Sequence, residues 1–266
     1  MTALHYHQLT KHSPQSVRSG HFLDWDNQPL PFKIYPDLDP IPLPRETQRS
    51  PHICLASLAH LLYFSAGITK RRKYPGGEIL FRAAACTGAL YEIELYVLTA
   101  GFEDLPAGLY HYNPGDLALR RLRAWDQPLP CPLYVFSTGT YWRNAWKYQD
   151  RTYRHFGWDN GTMLANLLAV AEAMGWPAQV LLGFADRDIN HLLGLDTEKE
   201  VGLSIVALGG APELPTVPPD LPALQFATVP LSRHEVDYPL MREVHACTVL
   251  ETHEQIQQWR RTPSKT

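Results

Sequence analysis

Three stretches of this chain carry residue types that could do chemistry. Arg82–Gly88 reads R-A-A-A-C-T-G, with six small side chains from Ala83 to Gly88. Such a run lets a flat or bulky group lie directly on the backbone. Arg82 at its head offers a cation for an anionic group. Lys147-Tyr148 lies within W-R-N-A-W-K-Y-Q-D-R-T-Y-R-H. A lysine among Trp142, Trp146 and Tyr148 is partly desolvated. That favours its neutral form and suits it to proton transfer, with the phenol as a second proton carrier. Leu182-Gly183-Phe184 follows an apolar run, and a glycine amide at a strand end can donate to a ligand ring nitrogen. Each stretch also has a plainer reading: a tightly packed helix start, a snorkelling surface lysine, a simple turn.

The neighbouring elements must hold these groups. After Gly88, Leu90, Glu92, Glu94 and Tyr96 alternate with Tyr91, Ile93, Leu95 and Val97, the period of a strand. Leu55, Leu58, Ala59, Leu62 and Tyr63 mark a helix ending at Gly67. Gly108–His111 and Leu117–Leu122 read as a hairpin about Asn113-Pro114-Gly115-Asp116. Leu133–Ser137 reads as a strand. A helix bearing Met163, Leu164, Leu167, Leu168, Ala171 and Met174 stops at Gly175 and Pro177. Gln179–Gly183 is expected as a buried strand, Asp186–Leu193 as a short helix and Val201–Leu208 as a further strand. Lys70-Arg71-Arg72-Lys73, with Pro75-Gly76-Gly77, is expected as a solvated basic loop. Helices and strands mix without βαβ alternation, so the fold class is α+β.

The chain has 266 residues, 45% of them apolar, and a net charge of −3. A sizeable core is available, and nothing in the overall charge draws it to nucleic acid or an anionic membrane. No apolar run approaches a membrane span, and no secretory signal opens the sequence. The four cysteines, Cys54, Cys86, Cys131 and Cys247, form no CxxC and read as reduced thiols of a cytoplasmic protein. Prolines at 29, 31, 36, 40, 42 and 44 make residues 1–51 an irregular, extended arm. Its aromatics Phe22, Trp25, Phe32 and Tyr35 imply that it is laid over a surface. A domain over 52–232 and a polar tail or helix over 233–266 follow. His5-x-His7 lacks a nearby carboxylate or cysteine to complete a ligand set, so no metal site is expected. Phosphate-loop, dinucleotide-binding, zincin and nucleophile-elbow motifs are missing.

Taken in order, the small-residue run closing in G-A-L-Y-x-x-E-L-Y, then G-L-Y-H-Y, K-Y-x-x-R-x-Y-R, A-E-A-x-G and G-F-x-D-x-x-I-N-x-L-L-G-L-D resemble the SagB/ThcOx-type dehydrogenase branch of the FMN-dependent nitroreductase superfamily over roughly residues 52–210. The resemblance implies a nitroreductase-like mixed sheet flanked by helices, behind the Pro-rich arm, with FMN between two interlocking domains. It places Ala85, Cys86, Thr87 and Gly88 along the flavin ring, Leu182-Gly183 with its amide at the reactive ring nitrogen, and Arg82 at the phosphate or a ring carbonyl. It makes Lys147 and Tyr148 the proton-transfer residues of an azoline-oxidising enzyme acting on a modified peptide. A homodimer, or pairing with a second nitroreductase-like domain, is implied. The alternatives are a general NAD(P)H-dependent nitro- or quinone reductase on a small molecule, and a flavin-free partner-binding half of such an assembly. The resemblance lapses where relatives supply phosphate cations: here stand P-R-E-T-Q-R-S-P-H and Gly209-Gly210-Ala211-Pro212.

Overall fold

The structure, a computed structural model, describes residues 1–262 apart from Ser19, Thr47 and Gly76. The first 51 residues depart from the irregular arm expected of them. They open with helices α1 (Ala3–Thr10) and α2 (Pro14–Arg18). The proline argument applies only from Pro29 onward. Before it, Thr2 caps α1 by accepting from the His5 amide at 3.2 Å. Pro14 stands at the first position of α2, where its missing N–H costs nothing. The proline-rich part then gives β1 (Pro40–Pro42), an edge strand, which is where a sheet tolerates proline.

Next come α3 (Leu55–Ala66) and a hairpin of β2 (Ile68–Tyr74) with β3 (Gly77–Arg82). Lys70–Lys73 therefore lie in a strand, not a loop. This two-stranded ribbon is exposed on both faces at its tip, so it shows no apolar alternation, and Arg71 pairs with Glu78 at 3.3 Å. Gly76, between the two strands, lies outside the described residues.

The main sheet is built from β4 (Ile93–Thr99), β5 (Gly108–Asn113), β6 (Ala118–Ala124), β7 (Leu133–Thr140), β8 (Ala178–Leu181) and β9 (Glu200–Leu208), together with β1. Its order is β1-β6-β5-β4-β7-β9-β8, with every pairing antiparallel. β8 is an edge strand and only its last residue is buried, not the fully buried strand that its composition suggested. Between β7 and β8 lie α4 (Tyr141–Tyr148) and α5 (Thr152–Met174), the latter ended by Gly175 in the left-handed conformation (φ 72°). α6 (Asp186–Leu193), α7 (Pro239–Ala246) and α8 (His253–Arg261) complete the α+β fold. The 233–266 tail thus holds two helices, and residues 263–266 lie outside the described part.

The sheet is covered on both faces. α3 and α5 bring Leu58, Leu62, Met163 and Leu167 against Ile93, Leu95 and Val97. The other face packs Tyr96, Leu98 and Phe136 against Leu192 and Leu193 of α6 and Tyr35 of the N-terminal segment. No helix among the described residues is long and apolar enough to cross a membrane.

Candidate active site

The small-residue run forms a ledge between β3 and β4 instead of a helix start. Its last residues make a tight turn in which Gly88, Ala89 and Tyr91 have φ of 65°, 55° and 56°. Two non-glycine residues in this region mark backbone held in place by its surroundings, a feature common at functional sites. One consequence overturns the simple alternation expected here. The turn at Tyr91 precedes β4, so Glu92 and Glu94 join different clusters.

Glu92 is fully buried with Cys86 and with Asp159 of α5. The Cys86 Sγ lies 3.1 Å from Glu92 Oε2 and 3.2 Å from Asp159 Oδ2. The Tyr91 amide donates to Cys86 Sγ at 3.0 Å. Thr87 donates its amide and its hydroxyl to the two oxygens of Asp159, each at 2.9 Å. Burial, then the adjoining Asp159, pushes the Glu92 carboxyl up to about 8. Burial and both acids also push the Cys86 thiol up. Two buried carboxyls this close cannot both ionise cheaply, so the cluster retains a proton near neutral pH. Among the described residues, these three alone have ligand atoms of a metal-like set within 4.8 Å of one another. His5 and His7 lie apart from them on exposed α1.

Above the ledge sits Tyr148, the last residue of α4. Its hydroxyl is 2.7 Å from where a Cβ on Gly88 would stand, so the glycine admits the phenol. Burial, with Cys86, Asp159 and Glu92 nearby, raises the pKa of this phenol. His155 packs edge-on against the ring at 4.7 Å and is itself pushed down to about 4 by burial. The Lys147 ammonium stands 5.4 Å from the centre of the Tyr148 ring, on a half-buried side chain. Arg82 is committed elsewhere. It is buried, donates to the Pro31 carbonyl at 2.7 Å, and stacks against Tyr91 at 4.9 Å and Phe32 at 5.7 Å.

The structure thus brings together Arg82, Ala85, Cys86, Thr87, Gly88, Lys147 and Tyr148, which the sequence offered as two separate stretches. Leu182 and Gly183 do not join them. They follow β8 at the sheet edge, where Leu182 is exposed and Gly183 lies under α8: Trp259 is 2.9 Å from where a Cβ on Gly183 would stand, and Arg260 donates to its carbonyl at 3.3 Å. The sequence marks Glu92 only as a position in the strand alternation and does not single out Asp159, although that residue leaves a signal. Asp159 extends the stripe of Met163, Leu167 and Ala171 backward by one turn, which puts an acid on the core face of α5.

A family model described as the nitroreductase family matches residues 67–210, over half of the chain. The chain belongs to the nitroreductase family. Members of the family typically bind flavin. A structure described as a nitroreductase from Anabaena variabilis aligns with 94% of this chain at 28% identity and a TM-score of 0.75. The alignment takes up only 55% of that longer protein, so this nitroreductase-family chain spans about half its length. The E. coli microcin synthetase McbBCD complex, with truncated pro-MccB17 bound, contains a chain of the same fold at 18% identity and a TM-score of 0.51, aligning with 79% of this chain and 87% of that one. No protein of curated function matches significantly.

Flavin mononucleotide needs a flat surface, donors at its ring and a cation at its phosphate. This chain supplies the flat surface. The cleft at the ledge, lined by Ala66, Ala84, Ala85, Tyr91 and Met163, has a volume of about 20 Å³ and opens to solvent. That is below the ~300–1,000 Å³ usual for small-molecule sites. Its lining includes the Asp159 carboxyl and the Cys86 thiol, and its arginine is already bound. The residues of one chain therefore do not make a complete flavin site.

Proposed function

We propose that this nitroreductase-family chain is one lobe of a flavin-dependent oxidoreductase whose cofactor site closes only when a second nitroreductase-type domain is present. In this reading the lobe contributes the ledge and a proton-handling set, and its substrate is an azoline-type ring in a modified peptide. The observation that carries it is the meeting of Tyr148 with Gly88 and the Cys86 cluster, pieces far apart in sequence, which sets a proton-carrying phenol on the ledge with Lys147 beside it.

Oxidising an azoline ring requires a group that takes a ring proton. Tyr148 stands at the ledge and keeps its own proton at neutral pH, so it can take the ring proton only by passing its own inward. Behind it, the Glu92 carboxyl has a proton affinity close to the working pH, so its ionised fraction can accept the proton that the phenol passes on. The Lys147 side chain lies next to the phenol. A chain of this fold in a synthetase complex with truncated pro-MccB17 bound supports a peptide substrate by analogy of fold alone.

The test is azole formation from an azoline-containing peptide by the protein and its variants, each assembled with a second nitroreductase-type domain and supplemented with FMN. Tyr148→Phe and Lys147→Ala are expected to slow it by about a hundredfold or more, with flavin content unchanged. Undiminished turnover in both variants would remove the assignment. Rapid bleaching of the flavin by NAD(P)H, with no azole formed, would favour a general reductase.

A second reading has one observation behind it. Arg82, the arginine at the ledge, is already bound to the Pro31 carbonyl, as expected of a flavin-free half that serves a partner subunit. Mixing the chain with FMN and a cognate nitroreductase-type partner separates the two: in the second reading the complex takes up flavin in the partner alone.

A further inference from the structure

The cations of the β2–β3 ribbon take no part in the site described above. Lys70, Arg71, Arg72 and Lys73 stand in sequence on β2, all exposed. Side chains alternate along a strand, and directly paired residues of an antiparallel ladder share a face. The register pairs Lys70 with Phe81, Arg72 with Ile79 and Tyr74 with Gly77, so these six residues lie on one face. Arg71, Lys73, Glu78 and Leu80 lie on the other. The two faces differ in charge balance. On the second, Arg71 pairs with Glu78 at 3.3 Å and donates to the Gly115 carbonyl, also at 3.3 Å, which ties that face to the turn between β5 and β6. The first face holds two cations and no acid. Neither the Lys70 nor the Arg72 side chain has a partner among the described residues.

Apolar groups are exposed beside these two cations. Ile79 is 40% exposed and Tyr74 51%. The Tyr74 ring lies across Gly77, whose missing side chain makes room for it: a Cβ there would stand 2.8 Å from the phenol oxygen. Cations next to exposed apolar side chains, with no acid among them, fit a ligand that is itself acidic and partly apolar. The chain as a whole is acidic, with a net charge of −3, and four of its 24 lysines and arginines fall in this one run. An acidic ligand is thus drawn to the ribbon in preference to the surface at large. Two open cations on one face are few for a nucleic acid, whose binding grows with the number of phosphates neutralised. The ribbon also leads into the ledge. β3 ends at Arg82, the head of the ledge, and Ile79 comes three residues of strand, about 10 Å, before it.

Resting on the peptide-substrate reading above, we propose that the face bearing Lys70 and Arg72 is a docking surface for an acidic, extended segment of the peptide on which this chain acts. Acidic side chains of the segment pair with Lys70 and Arg72, and its apolar side chains cover Ile79 and Tyr74. A segment held there has only three or four extended residues to span before the ledge, at about 3.3 Å each. Docking on the ribbon raises the local concentration of the ring at the ledge without adding a contact to the reacting atoms.

The experiment is fluorescence anisotropy of a labelled peptide of four Glu-Leu-Gly repeats, titrated with the full chain in the absence of flavin and of a partner domain. Saturable binding is expected, and the Gln-Leu-Gly counterpart should bind at least about tenfold more weakly. Lys70→Gln and Arg72→Gln, introduced together, should weaken the acidic peptide about fivefold to tenfold. Arg71→Gln with Lys73→Gln removes the same charge from the other face and should weaken it no more than about twofold. No saturable binding of the acidic peptide, equal losses in the two double variants, or tighter binding of a short oligothymidylate would each overturn the inference. Azole formation by the assembled enzyme is read separately. If it fails while the acidic peptide still binds, the peptide-substrate reading falls and the docking surface stands. If an acidic azoline peptide is turned over with unchanged KM by the Lys70→Gln, Arg72→Gln protein, docking on this face falls alone.

Discussion

Glu92 and Glu94 are two residues apart, both fully buried, and opposite in state. Burial alone would push both carboxyls up. At Glu92 no cation opposes it; hydrogen bonds from its own amide and from the Cys86 thiol only temper the push of burial and of Asp159, and the carboxyl is held near 8. At Glu94, Arg143, His111 and Arg82 outweigh burial and hold the carboxyl well below its ordinary range. Glu94 accepts from the Lys33 amide at 3.0 Å, and His111 Nε2 lies 3.0 Å from its other oxygen. One glutamate is an ionised member of a compensated network, and the other is a proton store. The difference comes from the turn at Tyr91, which directs the two side chains to different clusters. A buried acid identifies a reactive place only when its neighbours leave it uncompensated.

The comparison breaks most violently if the compensation at Glu94 is removed. Arg143→Met leaves a buried carboxylate unpaired and should lower stability to urea by about 3–5 kcal/mol. Adding Glu94→Gln to that variant should recover much of the loss. If the single variant loses less than a quarter of this, the network is not the brace described.

The pH dependence separates the two acids. Glu92 binds its proton more tightly folded (about 8) than unfolded (about 4.5). Between those values the folded state holds a proton that the unfolded state releases, so its contribution to stability falls as pH rises through that window. The slope is at most about 1.4 kcal/mol per pH unit. Glu94 is depressed, so its contribution is present above its unfolded value near 4.5 and lost as pH falls below it. Glu92→Gln should flatten the slope between pH 5 and 8 and leave the acid limb intact, as read by chemical denaturation at each pH.

Gly88→Ala should cost about 1–2 kcal/mol, because φ is positive there and the new Cβ meets the Tyr148 hydroxyl. Combining it with Tyr148→Phe should return part of that loss. The smallest effect is chemical. Native Cys86, with its thiol pushed up and its surroundings acidic, should react with iodoacetamide at least about tenfold more slowly at pH 8 than exposed Cys247. Peptide mapping of partly alkylated protein reads the ratio.

Much of the fold was legible because its elements carry strong local patterns. The stripe ending at Gly175, the Asn113–Asp116 turn and the Asp186–Leu193 helix all appear where periodicity and glycine placed them. The first helices were missed because the prolines were counted over 51 residues although they begin in earnest at Pro29. β2 was missed because an exposed ribbon has no buried face to write a pattern. The site was legible in pieces: small residues, an arginine, and a Lys-Tyr pair stand out by type. What joins them did not stand out. Asp159 comes from another helix, and the positive φ at Tyr91 that turns Glu92 toward it is a tertiary outcome that no residue type demands there. Gly183 illustrates the reverse case: its sequence context is suggestive, and the fold covers it with Trp259.

The account rests on the ledge being half of a flavin site. The most direct measurement is FMN bound per chain, followed by quenching of flavin fluorescence, in sedimentation fractions that separate monomer from higher assemblies. Flavin should appear with assemblies containing two nitroreductase-type domains and be lacking in the monomer. A monomer that binds FMN tightly, one per chain, would contradict it.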